Sequence, residues 1–130
     1  MSAFQAVNPQ TAEEFGPSIE SATREQVSRI IDAAYAPFLS PSERALLLTN
    51  IATSIEAARG DIVPMAMQES GLPEARLNGE LTRTVFQITK FAELVASGKY
   101  LDVKIDKADP QYGMGPRPDI RKYNQPLGVV

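Results

Sequence analysis

The 130-residue chain contains no cysteine, no histidine and no tryptophan. Without Cys or His there is no thiolate nucleophile, no disulfide, no imidazole base and no zinc site of the usual ligand types. No catalytic residue and no metal ligand is therefore assigned within the chain. No apolar stretch approaches the ~20 residues that a membrane-spanning helix needs. The first residues also lack the basic start and apolar run of a secretory signal. A cytoplasmic protein without a membrane partner is the expectation. Positive charge is short as well, 13 Lys and Arg against 16 Asp and Glu for a net charge of −3. Only the stretch from Arg117 to Lys122 is locally basic, so a nucleic-acid partner is not expected.

What is present is a run of helical signals between two short stretches with strand character. Residues 4–7 and 18–20 read as brief strands beside turn signals at Asn8-Pro9 and Gly16-Pro17. From Ala22 the spacing changes, and Val27, Ile30, Ile31, Ala34 and Phe38 fall on one face of a helix. Ser40-Pro41-Ser42-Glu43 then gives an N-cap, a first-turn proline and a capping box. Leu47, Ile51, Ile55 and Ala58 carry that second helix to Arg59, with Gly60 as its C′ residue. A third helix is expected over Asp61–Ser70, with Pro64 in its first turn and Gly71 as its stop. Pro73 opens a long fourth helix whose buried face would be Leu77, Leu81, Val85, Ile88, Phe91, Ala92 and Val95, ending at Gly98.

Beyond Gly98, Leu101, Val103 and Ile105 alternate as a strand, and a Gly/Pro-rich loop leads to Ile120 and Tyr123 as further strand residues. Two antiparallel strands joined by a long loop are marginal in water and call for a partner surface. The fold class is thus α+β: four helices with short strands over 1–98, a two-stranded excursion over 99–125, and a strand start at 126–130. The closing Gln-Pro-Leu-Gly-Val-Val looks like the entry to a buried strand, so the chain reads as cut through a longer protein.

Few residues offer chemistry. Glu13-Glu14 and Asp106 with Asp109 are carboxylate groupings in polar loops, where solvated surface is the plain reading. Gly113-Met114-Gly115-Pro116 lacks the strand-to-helix context of a phosphate loop. Tyr112 and Tyr123 near Arg117, Arg121 and Lys122 form either a stacking patch or a loop packed on its own scaffold. Arg83 lies beside the apolar stripe of the fourth helix rather than opposite it. Two readings stand for it: an arginine snorkelling or paired at the edge of an interface, or a cation that clamps a substrate carboxylate.

Taken together, Val7-Asn8-Pro9, the Ala33–Phe38 stretch, the helix "SPSERALLLTNIATSIEAARGDI", "QESGLPEARLNGE", "FAEL" and the final "QPLGVV" resemble the N-terminal portion of the NAD(P)-dependent aldehyde dehydrogenase superfamily. The segments occur in the family's order. "ESGLPEARLNGELTRT" and "RPDIRKYNQPLG" are most similar to the branch of α-ketoglutarate semialdehyde and NADP-linked fatty aldehyde dehydrogenases. Gln10-Thr11-Ala12 departs from the family's usual Ala-Thr-Gly, no Trp follows Phe38, and Ser70 replaces a common Thr. The resemblance implies a parent that oxidises an aldehyde to an acid through a cysteine, a glutamate and an asparagine placed after this segment. It implies NAD or NADP for the full-length enzyme, with no cofactor-binding residue here and no activity in this chain alone. It also implies that Arg83 binds the distal carboxylate of a semialdehyde, and that the excursion adds strands to a neighbouring subunit in a homo-oligomer. The alternative from another class is a free-standing helical interaction module whose exposed strands pair with a partner.

Overall fold

A computed structural model describes residues 3–34 and 39–127. Phe38 of the first apolar stripe, and the Gly128-Val129-Val130 strand start, lie outside the described residues. The expected α+β architecture is present, with four helices and two separate two-stranded antiparallel sheets among the described residues.

The first sheet is a hairpin of β1 (Ala3–Val7) and β2 (Glu14–Glu20). Both strands exceed the expected limits of 4–7 and 18–20. For β2 the reason is Gly16, which read as a turn but lies inside the strand at φ 74°. The register shifts opposite it between Phe4 and Ala6. The bulge absorbs two extra residues, with Gly16, Pro17 and Ser18 facing the single Gln5, and lets the strand continue through Gly16-Pro17. Asn8 opens the hairpin turn: its side-chain Oδ1 accepts from the Gln10 amide at 2.9 Å, and its carbonyl accepts from the Ala12 amide at 2.8 Å. Ala12 closes the turn at φ 60°. That is the left-handed region which a glycine would enter without a Cβ penalty.

The first two helices follow their start signals closely. α1 (Arg24–Ala33) is capped by Thr23 and Gln26 in a reciprocal capping box. α2 (Pro41–Ala57) is capped by Ser40 with Glu43 in the same way, with Pro41 in its first turn. Their ends follow less closely. Gly60 does not close α2, because α3 runs over Arg59–Ser70 and takes Gly60 into its own first turn. The break falls at Ala58 instead. Pro64 is consequently in the interior of α3 and not in its first turn. A proline there leaves the Gly60 carbonyl without its usual i+4 donor. Gly71 and Gly98 do end α3 and α4 (Glu74–Ser97), each in the left-handed conformation.

α2 packs most extensively on α4, and α3 packs on the first half of α4 and, more lightly, on α2. The core forms where the three meet. Val63, Leu77 and Leu81 are buried there, with Ile55, Ala66, Met67, Leu72 and Val85 packed against them. Each such buried side chain stabilises the fold by roughly 1.5–3 kcal/mol. Buried Ala52 on α2 and buried Ala92 on α4 are the small residues of this packing. The expected stripes are therefore only partly inside. Leu47 and Ile51 of α2 are exposed, and so is Phe91 of α4, which was expected to be buried.

After Gly98 a 3-10 turn (Lys99–Leu101) takes up Leu101, which the alternation had placed in a strand. Two αL residues, Gly98 and Asp102, bound that turn and break the extended run. The second sheet is then β3 (Lys104–Asp106) against β4 (Ile120–Lys122), shorter than the pattern implied. Tyr123 lies just past β4. Asn124 ties the returning chain to the end of α4: its amide donates to the Leu101 carbonyl at 2.8 Å and its side chain to the Tyr100 carbonyl at 3.0 Å.

Candidate functional site

The carboxylate groupings stay apart from any cleft. Glu13, Glu14 and Asp106 are exposed, and Asp109 is occupied in a backbone bridge to Arg117. Among the described residues no group of acidic side chains is placed to hold a metal ion. Gly113 and Gly115 belong to the loop that this bridge closes, and no helix begins after them. Tyr112 stacks on Arg117, with the guanidinium 5.1 Å from the ring centre. Arg117 also donates to the Lys107 carbonyl at 3.3 Å. Tyr123 instead accepts from Gln125. The loop is thus packed on its own scaffold, and the two tyrosines do not form one patch.

Arg83 occupies the solvent-facing side of α4. Arg76, Glu80, Arg83 and Gln87 recur at helical spacing on that face, with Phe91 one further turn along. Glu80 is taken by Arg76 in an ion pair of 2.9 Å. Arg83 has no hydrogen bond or ion pair with another described residue. Its guanidinium therefore keeps all its donors for something else.

A groove of about 220 Å³ lies one face over, between α2, α3 and α4. Ile55, Val63, Leu77 and Leu81 form its apolar floor, and Glu80 and Thr84 its polar edge. Arg83 does not line it, so Arg83 and the groove share α4 but not a surface. A second cavity of about 510 Å³ lies between Arg44, the two tyrosines Tyr100 and Tyr123, and the Asn124–Pro126 segment.

One residue with no assigned role in the sequence proves central to this region. Arg59, half-buried at the α2–α3 break, donates through Nε and Nη2 to the Glu56 carboxylate at 2.8 and 2.7 Å. Nη1 donates to the Asn78 side chain at 2.9 Å and to the Asn78 carbonyl at 3.2 Å. Nη2 also reaches the Thr82 hydroxyl at 3.1 Å. The hydrogen bonds from Arg59 hold the Glu56 carboxyl below its ordinary range, and the same pairing raises the guanidinium above its own. In the sequence Arg59 shows only as a helix-end residue before a glycine; Glu56 is three residues away, but the partners on α4, Asn78 and Thr82, lie 19 and 23 positions away.

A profile of the Aldehyde dehydrogenase family matches residues 1–130. The chain belongs to the aldehyde dehydrogenase family. Among curated relatives it is similar to an alpha-ketoglutaric semialdehyde dehydrogenase of Acinetobacter baylyi, 34% identical across 98% of this chain and 25% of the relative. It is also similar to alpha-ketoglutaric semialdehyde dehydrogenase 2 of Azospirillum brasilense, 42% identical across 67% of this chain and 17% of that protein. The chain thus spans about a quarter or less of the length of these relatives. The resemblance read from the ordered segments holds at the family level, and semialdehyde dehydrogenases are among the relatives. Among the described residues no helix is long and apolar enough to cross a membrane.

Proposed function

We propose that this segment belongs to an NAD(P)-linked aldehyde dehydrogenase acting on a carboxylated semialdehyde, and that Arg83 binds the carboxylate remote from the aldehyde. The family match and the printed names of the relatives support the oxidoreductase class. The observation that carries the substrate reading is the unpartnered Arg83 guanidinium on the exposed face of α4. A guanidinium with free donors meets a carboxylate through two parallel hydrogen bonds, which selects charge and orientation together. The free-standing interaction module gives way to the family reading.

Chemistry needing a thiolate is outside the means of a chain without cysteine. The 130 residues alone are accordingly inactive in this proposal. The division is into a helical part over 1–98, a bridging excursion over 99–125, and an entry to the coenzyme-binding part over 126–130. The excursion's partner is a second copy, because β3 and β4 each keep one unpaired edge among the described strands. In the full-length enzyme containing this segment, Arg83→Ala should raise KM for a carboxylated aldehyde roughly tenfold or more, the scale of a lost charge-assisted hydrogen bond. KM for an uncharged aldehyde of similar length should stay unchanged. Equal rises for both would defeat the reading.

A further inference from the structure

We propose that Arg59 is a positioning residue for substrate recognition: it fixes the first half of α4 against α2 and α3, and so sets where the Arg83 guanidinium stands. The inference rests on the reading of Arg83 as the carboxylate-binding residue and extends it to a residue that touches no substrate.

Three features of the geometry carry it. First, one guanidinium reaches two elements, with Glu56 at the end of α2 on one side and Asn78 and Thr82 on α4 on the other. Secondly, its two contacts on α4 are one turn apart. They act as a two-point clamp that resists both rotation and sliding of the helix. Thr82 donates its hydroxyl hydrogen to the Asn78 carbonyl at 2.9 Å while its oxygen accepts from Arg59. The clamp is therefore locked to the α4 backbone as well as to its side chains. Thirdly, Thr82 directly precedes Arg83. A helix passes a rigid shift of one residue directly to its neighbour, so any play at Thr82 appears at Arg83.

The arrangement has a clear division of labour. Val63, Leu77 and Leu81 supply the burial that holds α3 to α4. Apolar contact is non-directional and tolerates small slides. Hydrogen bonds from a rigid fork do not. Glu56 completes the device by holding the fork from behind through two of its donors.

The test is a double-mutant cycle in the full-length enzyme containing this segment, read as the ratio of KM for a carboxylated aldehyde to KM for an uncharged one of similar length. Arg59→Ala is expected to raise that ratio about fivefold with Arg83 present, within the range of couplings between linked residues. It is expected to leave the ratio unchanged once Arg83→Ala is in place. A rise of the same size in both backgrounds overturns the positioning role. So does an unchanged ratio in both while Arg83→Ala alone raises it. If Arg83→Ala itself leaves the ratio unmoved, the substrate reading has failed instead, and the positioning role falls with it. Loss of folded enzyme lowers kcat for both aldehydes alike and does not move the ratio, so a merely structural role gives a flat result. Thr82→Val removes a single arm of the clamp and keeps the side chain's shape. It should raise the ratio in the same sense but less, and it serves where Arg59→Ala does not fold. Arg59→Lys offers one ammonium in place of a fork and should leave the ratio raised. Full recovery by Lys would overturn the two-point clamp.

Discussion

Arg59 and Ser40 are both polar residues at helix ends, yet only Ser40 announces its role. The Ser40 hydroxyl accepts from the Glu43 amide, and the Glu43 carboxylate accepts from the Ser40 amide at 2.7 Å. That device is complete within four consecutive residues, so spacing alone reveals it. Arg59 has Glu56 three residues away, but reaches Asn78 and Thr82 only because the fold brings α4 to it. The carboxylates at these sites share a common response to pH. Hydrogen bonds from Ser40 hold Glu43 below its ordinary value, and hydrogen bonds from Arg59 do the same for Glu56. Glu25 is lowered by a backbone hydrogen bond at the start of α1, and further by Thr23. A carboxyl lowered on folding binds fewer protons in the folded state than in the unfolded chain. Its stabilisation is then fully present above the unfolded value of 4.5 and is lost as pH falls through the lower folded values. Thermal melts between pH 6 and pH 3 should show the midpoint falling below about pH 4.5, and Glu56→Gln should make that fall shallower. A slope unchanged by Glu56→Gln would remove the Arg59–Glu56 pair as its source.

Gly60 and Gly71 show how an element differs from the sum of its signals. Both follow apolar helical runs, and both read as helix stops. Gly71 is one, at φ 68°, and a Cβ built there would meet the Pro9 side chain at 3.3 Å. The hairpin turn is seated against it, with the Gln10 side-chain amide donating to the Gly71 carbonyl at 3.3 Å. Gly60 is an ordinary helical residue with open space around its missing side chain. Gly60→Ala should therefore stabilise the chain by about 0.5–1 kcal/mol, the usual gain of Ala over Gly in a helix. Gly71→Ala should cost at least about 1–2 kcal/mol for the left-handed backbone alone. Urea unfolding of the two variants beside the parent chain reads both signs at once. A destabilised Gly60→Ala would return the helix end to Gly60.

At the scale of the molecule, much of the apolar surface is uncovered. Ile30 is 65% exposed, and Phe86 and Phe91 are each 59% exposed. α1 has no buried residue and no extensive contact with another element, although its apolar residues share one face. The described residues that form a core do so only where α2, α3 and α4 meet. Apolar area of this extent on one chain, together with unpaired strand edges, favours association. Size-exclusion chromatography of the 130-residue chain should show species larger than 14.2 kDa at micromolar concentration, growing with concentration. With no cysteine present, reducing agent should not change the profile. A single monomeric peak at all concentrations would count against the strand-edge partner proposed for the excursion.

The sequence by itself determined the starts of α2 and α4, two of the three expected helix ends, the presence of two short strand pairs and, through the order of its segments, the family. These depend on interactions within a few residues or on patterns that survive any packing: caps, left-handed glycines, apolar spacing. Only the tertiary structure decided the rest. It moved the α2–α3 break from Gly60 to Ala58, left Phe91 in solvent, kept Arg83 off the apolar groove, and gave Arg59 its partners on α4. Each of these depends on which surfaces meet at long range. A periodic stripe says that a face is apolar, and the neighbouring elements decide whether anything covers it.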